Sequence, residues 1–340
     1  MRCSVLLPVY NGGAFLQLAI ESILNQDERD FEFLLIDDCS TDQSAKIIRH
    51  YAESDGRIRP VFHRENAGLA ATLNEGLREA RSDLIVRMDQ DDVALAKRIG
   101  TQVEFMSERP EIAVAGSFVY HMGLRPADDR LVQLPIKHEE IVRTLDRENC
   151  IYHPSVILRR ERILSLGGYR AEFRNSEDYD LWLRVAKVYQ LANIPEPLLR
   201  YRFSVSGMTL GRKWQQALYT HMAVISSRYP ERSLDQVRQE AEGELESLGK
   251  EWFLEQVARG TIEELIRLRL FGDALRTLWT FSRQVDRNRV MPLVRDFGGN
   301  SMTTKYEGTV TGSDMKLKVT RTGQDGTPMT SDATAKKATT

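Results

Sequence analysis

The chain has 340 residues, of which 41% are hydrophobic and 28% charged, and a formal net charge of −2. That length accommodates one large α/β domain plus an accessory region, and the composition is that of a soluble globular protein. The near-neutral charge removes the electrostatic case for nucleic acid as a partner. Three scattered cysteines (Cys3, Cys39 and Cys150), with no CxxC, argue against a disulfide framework or zinc site and fit a reducing, cytoplasmic setting.

No apolar run is long enough to span a bilayer, and the apolar part of MRCSVLLPVYNG is too short for a signal-peptide core. It reads instead as a first strand over 3–7, buried on both faces. Phe15, Leu18, Ala19, Ser22 and Ile23 keep a helical period. A second strand over 31–36 ends in Asp37-Asp38, and Ser40-Thr41-Asp42-Gln43 matches a capping box, predicting a helix from there to about Ala52. Residues 58–63 read as a third strand, 70–80 as a helix, and 83–88 as a fourth strand followed at once by Asp89-Gln90-Asp91-Asp92. This order implies an α/β fold with a mostly parallel sheet flanked by helices.

From 139 to 203 the pattern is mixed, with strands at 155–158 and 198–202 and a helix over 180–189. From about 214 to 290 it is almost all helical. Within it, 267–283 mixes Leu, Trp and Phe with Arg at roughly helical spacing. That suits a core-facing helix with a solvated basic face; the other reading is peripheral contact with a membrane. Residues 305–322 alternate as a β-hairpin would, turning at Gly312-Ser313-Asp314, and a Thr-, Ala- and Lys-rich end has the composition of a disordered tail. The expected division is a domain over 1–206, a helical region over 207–296, and a hairpin-like, disordered tail over 297–340.

In parallel sheets ligands bind beyond the carboxyl ends of the strands. Three polar clusters fall there: Pro8-Val9-Tyr10-Asn11, Asp37-Asp38 and Asp89-Gln90-Asp91-Asp92. Three carboxylates in four residues repel one another unless a divalent cation, Mg2+ or Mn2+, relieves them while bridging to phosphates. An acidic helix cap is the plainer explanation of the tripeptide alone; its position beside two other polar strand ends favours the metal. Asp38 can accept hydrogen bonds from a ribose hydroxyl or a base N–H. Asn66-Ala67-Gly68 opens a helix whose N–H groups suit an anion, or is a simple turn. Glu177-Asp178 offers a general base or caps the helix it precedes. His153 either touches a phosphate or acceptor or is a structural hydrogen-bonding residue. Arg202 either puts a cation near a diphosphate or sits on a solvated strand edge.

Seven segments in order resemble the family 2 glycosyltransferases of GT-A fold: VLLPVYNGGAFLQLAIESILNQ (5–26), FLLIDDCSTDQS (33–44), ENAGLAATLNEGL (65–77), LIVRMDQDDVA (84–94), HPSVILRR (153–160), LGGYR (166–170) and SEDYDLWLR (176–184). The resemblance spans roughly 1–206. It implies a GT-A-type nucleotide-binding fold followed by a C-terminal helical region. It also implies a nucleotide-sugar donor, UDP-linked, and a saccharide or lipid-linked saccharide acceptor in cell-surface polysaccharide synthesis. By that resemblance Pro8, Tyr10, Asn11 and Asp38 contact the nucleotide. Asp89 and Asp91 form the DxD pair, with Asp91 the direct metal ligand and Asp92 assisting. Asp178 is the catalytic base of an inverting single displacement, and His153 lies near diphosphate and acceptor. A sugar nucleotidyltransferase should carry a Gly-rich phosphate loop where Pro8-Val9-Tyr10-Asn11-Gly12-Gly13 stands, and a dinucleotide dehydrogenase needs GxGxxG. A non-catalytic carbohydrate-binding protein on the same fold would have no use for both Asp91 and Asp178.

Overall fold

The computed structural model describes residues 1–202, 210–268 and 270, and four strands between 291 and 336. Its contacts divide the chain into two units, the first drawn from Met1–Met122, Arg130–Arg202 and Leu218–Ala241, the second from the remainder.

The first unit holds strands β1 (Cys3–Val9), β2 (Phe31–Asp37), β3 (Ile58–Phe62), β4 (Leu84–Arg87), β5 (Val93–Ala94), β6 (Ile112–His121), β7 (Arg130–Val132), β8 (Ile157–Arg159) and β9 (Gln190–Tyr201). Between them run helices α1 (Leu16–Leu24), α2 (Ser44–Ser54), α3 (Leu69–Glu79), α4 (Arg98–Glu108), α5 (His138–Leu145), α6 (Arg160–Ser165) and α7 (Glu177–Ala186). The sheet order is β3-β2-β1-β4-β8-β6-β9-β5, with β7 beside β6. The expected parallel arrangement holds across β3, β2, β1 and β4. Beyond β4 the sheet is mixed: β8 runs antiparallel to both β4 and β6, and β6 pairs parallel with β9. Apolar content alone does not encode strand direction, which is why the second half read as indefinite.

All seven residues of β1 and all seven of β2 are buried. Side chains of a strand point alternately to opposite faces, and two apolar layers follow. Val5, Leu7, Phe33 and Leu35 pack with α1, α2 and α4, while Leu6, Leu34 and Ile36 pack with α3, α5, α6 and α7. Helix α3 lies so close to β1 that a Cβ at Gly76 would collide with the Leu6 side chain. In α1 the buried stripe is Leu16, Ala19, Ile20 and Ile23, so Phe15 and Leu18, expected on it, are exposed.

The predicted capping box is not used. Helix α2 starts at Ser44, and the residues ahead of it hold the loop after β1. Asn11, Gly12 and Gly13 donate their N–H groups to Ser40 Oγ, Ser44 Oγ and Asp42 Oδ2, each at 2.9 Å. Side chains that might have capped the helix instead satisfy a neighbouring backbone.

Helices α8 (Leu210–Arg228), α9 (Leu234–Leu248) and α10 (Lys250–Arg267) follow, the first two contributing Tyr219, Met222, Val237 and Ala241 to the core of the first unit. Most of the amphipathic 267–283 stretch lies outside the described residues. Among the described residues no helix is long and apolar enough to cross a membrane. Strands β10 (Met291–Phe297), β11 (Met302–Thr311), β12 (Asp314–Thr322) and β13 (Pro328–Lys336) form a separate antiparallel sheet in that order. Strand β13 corrects the disordered end expected from composition: nine residues pair with β12 although their sequence lacks strong apolar alternation. Backbone hydrogen bonding does not require that alternation.

Candidate active site

Beyond the ends of β1, β2 and β4 lies a cleft of about 740 Å³. Pro8, Tyr10, Asp38, Asn66, Gly68, Asp89, Asp91 and Glu177 all line it, drawn from segments far apart in sequence.

One wall is built around Asp38, which is 3% exposed. Its Oδ1 accepts the Ala67 N–H at 2.7 Å and its Oδ2 the Gly68 N–H at 2.9 Å. Asn66 Nδ2 donates to the Asp38 carbonyl at 3.1 Å. Gly68 has φ +85, a left-handed value that favours glycine, and it leads directly into α3. His63 completes this wall, Nδ1 bonding Asp38 Oδ1 at 2.7 Å and Nε2 bonding Glu75 Oε2 at 2.9 Å. Burial alone would lower the imidazole pKa, but the two carboxylates outweigh it and raise it. Tyr10, 49% exposed, also lines the cleft. Its backbone is clasped by the Gln90 amide, which accepts from Tyr10 N at 2.8 Å and donates to Tyr10 O at 3.0 Å.

The other wall is acidic and short of partners. Asp89 pairs with Arg87 at 2.6 Å. Among the described residues no cation forms an ion pair with Asp91. Burial, and then the charge of Asp89, push its carboxyl up to about 6. Glu177 opens α7, and its carboxyl is raised chiefly by burial. Asp178 follows, its Oδ2 accepting from Asn149 Nδ2 at 2.8 Å. Burial first, and then the neighbouring Glu177, hold Asp178 up at about 6, against the lowering effects of Arg87 and of hydrogen bonding. Carboxylates at a helix N-terminus are normally favoured in the charged form; here desolvation wins.

The model of "Glycosyl transferase family 2" matches residues 4–167. The O-antigen biosynthesis glycosyltransferase WbnJ of Escherichia coli is 33% identical over 205 residues, 58% of this chain and 78% of WbnJ. This chain belongs to glycosyltransferase family 2. The amylovoran biosynthesis glycosyltransferase AmsE of Erwinia amylovora is 28% identical over 214 residues, covering 62% of this chain and 80% of AmsE. The fold is shared with Staphylococcus aureus TarS 1-349 in complex with UDP, at 16% identity and a TM-score of 0.53 over 86% of this chain and 94% of that one. It is shared too with the mannosyltransferase PcManGT of Pyrobaculum calidifontis in complex with GDP-Man and Mn2+, at 18% identity and a TM-score of 0.54 over 83% and 86%. The α/β unit is therefore of GT-A type.

Four residues expected to contact ligand in this glycosyltransferase do not line the cleft. Asn11, at φ 52, turns its Oδ1 to the Thr41 N–H at 2.8 Å and braces the loop. Asp92 is 1% exposed and its Oδ1 accepts the Arg202 N–H at 2.7 Å, which ties the end of β9 to the acidic turn. Arg202 itself donates from Nε to the Asp91 carbonyl at 2.9 Å and stacks over the Phe15 ring at 4.1 Å. His153 bonds the Tyr169 hydroxyl at 2.9 Å and meets the Trp182 ring edge-on. Burial, reinforced by the charge of Arg87, holds His153 well below the ordinary imidazole pKa, so it stays neutral. Each of the four has at least one polar atom engaged by the protein, while Asp92 Oδ2 is buried without a hydrogen-bond partner. Asp178 is not on the cleft wall either, but it adjoins Glu177, which is.

His63, Gln90 and Arg87 were missed. A lone cation in the apolar run LIVRM was a readable signal for Arg87. Nothing in the neighbouring sequence of His63 or Gln90 announces their partners.

Proposed function

We propose that this glycosyltransferase moves a sugar from a UDP-linked donor to a hydroxyl of a saccharide or lipid-linked saccharide, with inversion, in cell-surface polysaccharide synthesis. The single cleft that gathers Asp38, Asp89, Asp91 and Glu177, with Asp178 the next residue, carries this reading. Its volume of about 740 Å³ suits a small ligand of nucleotide-sugar size. The relatives support the class of product. WbnJ and AmsE are named for O-antigen and amylovoran biosynthesis. Another relative, 28% identical over 206 residues, is the UDP-Gal:alpha-D-GlcNAc-diphosphoundecaprenol beta-1,3-galactosyltransferase of Escherichia coli. The absence of paired cysteines among Cys3, Cys39 and Cys150 suits action from the cytoplasmic side.

In this reading Pro8, Tyr10 and Asp38 bound the nucleoside. Asp38 keeps acceptor capacity beyond its three protein donors, enough for a base N–H or a ribose hydroxyl. Asn66 and Gly68 shape the turn beneath it. The acidic wall fits Mn2+ or Mg2+: the Asp91 carboxylate has a raised pKa and no paired cation among the described residues, and Asp89 shares its cleft. No three acidic, His or Cys side chains among the described residues converge to hold a metal alone, which suits an ion that takes one or two carboxylates and completes its shell with substrate phosphates and water. Bound there, the ion would act as a Lewis acid toward the diphosphate.

Asp178 accepts the proton of the acceptor hydroxyl as that oxygen bonds to the anomeric carbon. The bond from that carbon to the diphosphate oxygen breaks on the opposite face, through an oxocarbenium-like transition state. A carboxyl held at about 6 is largely ionised at neutral pH yet more basic than an exposed aspartate, as a general base should be. A donor screen tests the assignment: nucleotide sugars with Mn2+ or Mg2+, reading released nucleoside diphosphate. UDP release from a UDP-sugar, stimulated by an oligosaccharide acceptor, is expected; release confined to GDP- or dTDP-sugars refutes the donor assignment.

A further inference from the structure

The chain between α6 and α7 turns sharply just before α7. Phe173 is fully buried, with the Arg170 guanidinium 4.4 Å from its ring centroid. Ser176 is buried as well; its N–H donates to the Phe173 carbonyl at 2.8 Å, and its hydroxyl pairs with Thr220 Oγ1 of α8 at 3.0 Å. The backbone bond closes a tight turn with Arg174 and Asn175 at its two corners. Asn175 has φ 62, a left-handed value that the second corner of such a turn demands and that asparagine tolerates. With a buried residue on either side, Arg174 and Asn175 are exposed, and both line the cleft together with Glu177. Arg174 is thus held on the cleft wall by the turn and not by its own side chain.

Among the described residues Arg174 is the one Lys, Arg or His that lines the cleft, where the carboxylates of Asp38, Asp89, Asp91 and Glu177 also stand. It forms no ion pair and no side-chain hydrogen bond among the described residues. Its guanidinium is therefore not spent on neutralising the acidic wall, and its donors are open to a ligand.

In the reading proposed above, the donor diphosphate lies at the Asp89–Asp91 end with its metal ion, and the acceptor hydroxyl lies at the Asp178 end. Arg174 belongs to the turn that leads into Glu177-Asp178, on the acceptor side. A neutral saccharide gives a guanidinium no counter-charge. An acceptor that carries phosphate does, and it must enter a cleft already lined by carboxylates and holding a donor diphosphate, all of which repel it. The planar fork of arginine matches phosphate oxygens two at a time.

We propose that Arg174 binds a phosphate group of the acceptor, so that the acceptor is a saccharide linked through phosphate to its carrier and not a neutral free saccharide. This rests on the reading of the cleft as a nucleotide-sugar site with its acceptor end at Asp178. Arg174 then sets acceptor specificity and leaves the donor to the metal and the nucleoside wall.

The test uses the full chain saturated with UDP and Mn2+ and titrated in calorimetry with geranyl diphosphate, with geraniol as the uncharged control. Arg174 is exposed, so Arg174→Gln should fold as the wild type does. The loaded wild type should bind geranyl diphosphate but not geraniol. Arg174→Gln should weaken that binding by about tenfold or more, and Arg174→Lys by less, while the Kd for UDP stays within about twofold in both. Absence of binding to the loaded wild type, or equal binding to Arg174→Gln, overturns the proposal. Displacement of UDP by geranyl diphosphate, or a raised UDP Kd in Arg174→Gln, overturns it too, because the guanidinium then serves the donor diphosphate. A wild-type chain that does not bind UDP with Mn2+ at all brings down the reading of the cleft itself, an outcome distinct from the others.

Discussion

The two walls of the cleft handle their carboxylates in opposite ways. At the ends of β2 and β3, Asp38 is held by two backbone N–H groups and an imidazole. Beyond β4 and at the start of α7, Asp91 and Asp178 are desolvated and poorly compensated, both held up at about 6. A carboxylate held by three protein donors fixes a shape; one whose pKa is raised by burial favours a cation or a proton. In the proposed reading the contrast separates the residues that bound the nucleoside from those that do the chemistry.

The sharpest way to break this contrast is Asp178→Asn. Turnover should fall by roughly 10²-fold or more, as for loss of a general base, while UDP binding stays near the wild-type value in calorimetry; unchanged kcat would show that Asp178 is not the base. Next comes Asp91→Ala, which removes a carboxylate with no paired cation among the described residues. Mn2+-dependent UDP affinity should be lost, and UDP titrations with and without Mn2+ check it. Below these stands Asp38→Ala. It strips partners from the Ala67 and Gly68 N–H groups, so stability should drop by about 1 kcal/mol in denaturant titrations, with weaker nucleotide binding alongside. Stability unaltered in that variant would mean the turn holds itself.

The smallest effect concerns His63. Its pKa is raised in the folded protein, so the stability it contributes is complete below about 6.5, its ordinary value, and is lost as pH rises through the higher folded value. The denaturation midpoint should therefore decline above pH 6.5 more steeply in the wild type than in His63→Gln. Parallel profiles would remove His63 from the account of the nucleoside wall.

The polar strand ends were legible because the β1, β2 and β4 runs are apolar and stop abruptly at Tyr10, Asp37-Asp38 and Asp89. Burial on both faces leaves little room for other readings of such runs. What stayed hidden depends on partners distant in the chain. Asp92 reads as an assistant to Asp91, and the hydrogen bond of its Oδ1 with the N–H of Arg202, 110 residues away, could not be read locally. For His153 the sequence left open a substrate contact or a structural role, and the contacts with Tyr169 and Trp182 were out of its sight. Gln90 was hidden in plain view inside the acidic motif, its role set by the backbone of Tyr10, 80 residues earlier. Strand direction beyond β4 was unreadable for the same reason: pairing is a long-range property.

The missing side chain at position 76 reaches further than local packing. Helix α3 begins at the Gly68 turn on the nucleoside wall and is tied midway to the chain after α6, where Asn74 exchanges hydrogen bonds of 2.8 Å with both the N–H and the carbonyl of Tyr169. A methyl group added at position 76 would collide with the Leu6 side chain, so either that side chain or the helix must give way. In the proposed reading, the turn that shapes the donor site is thus tied to packing at the rear of the sheet, among residues that meet no substrate.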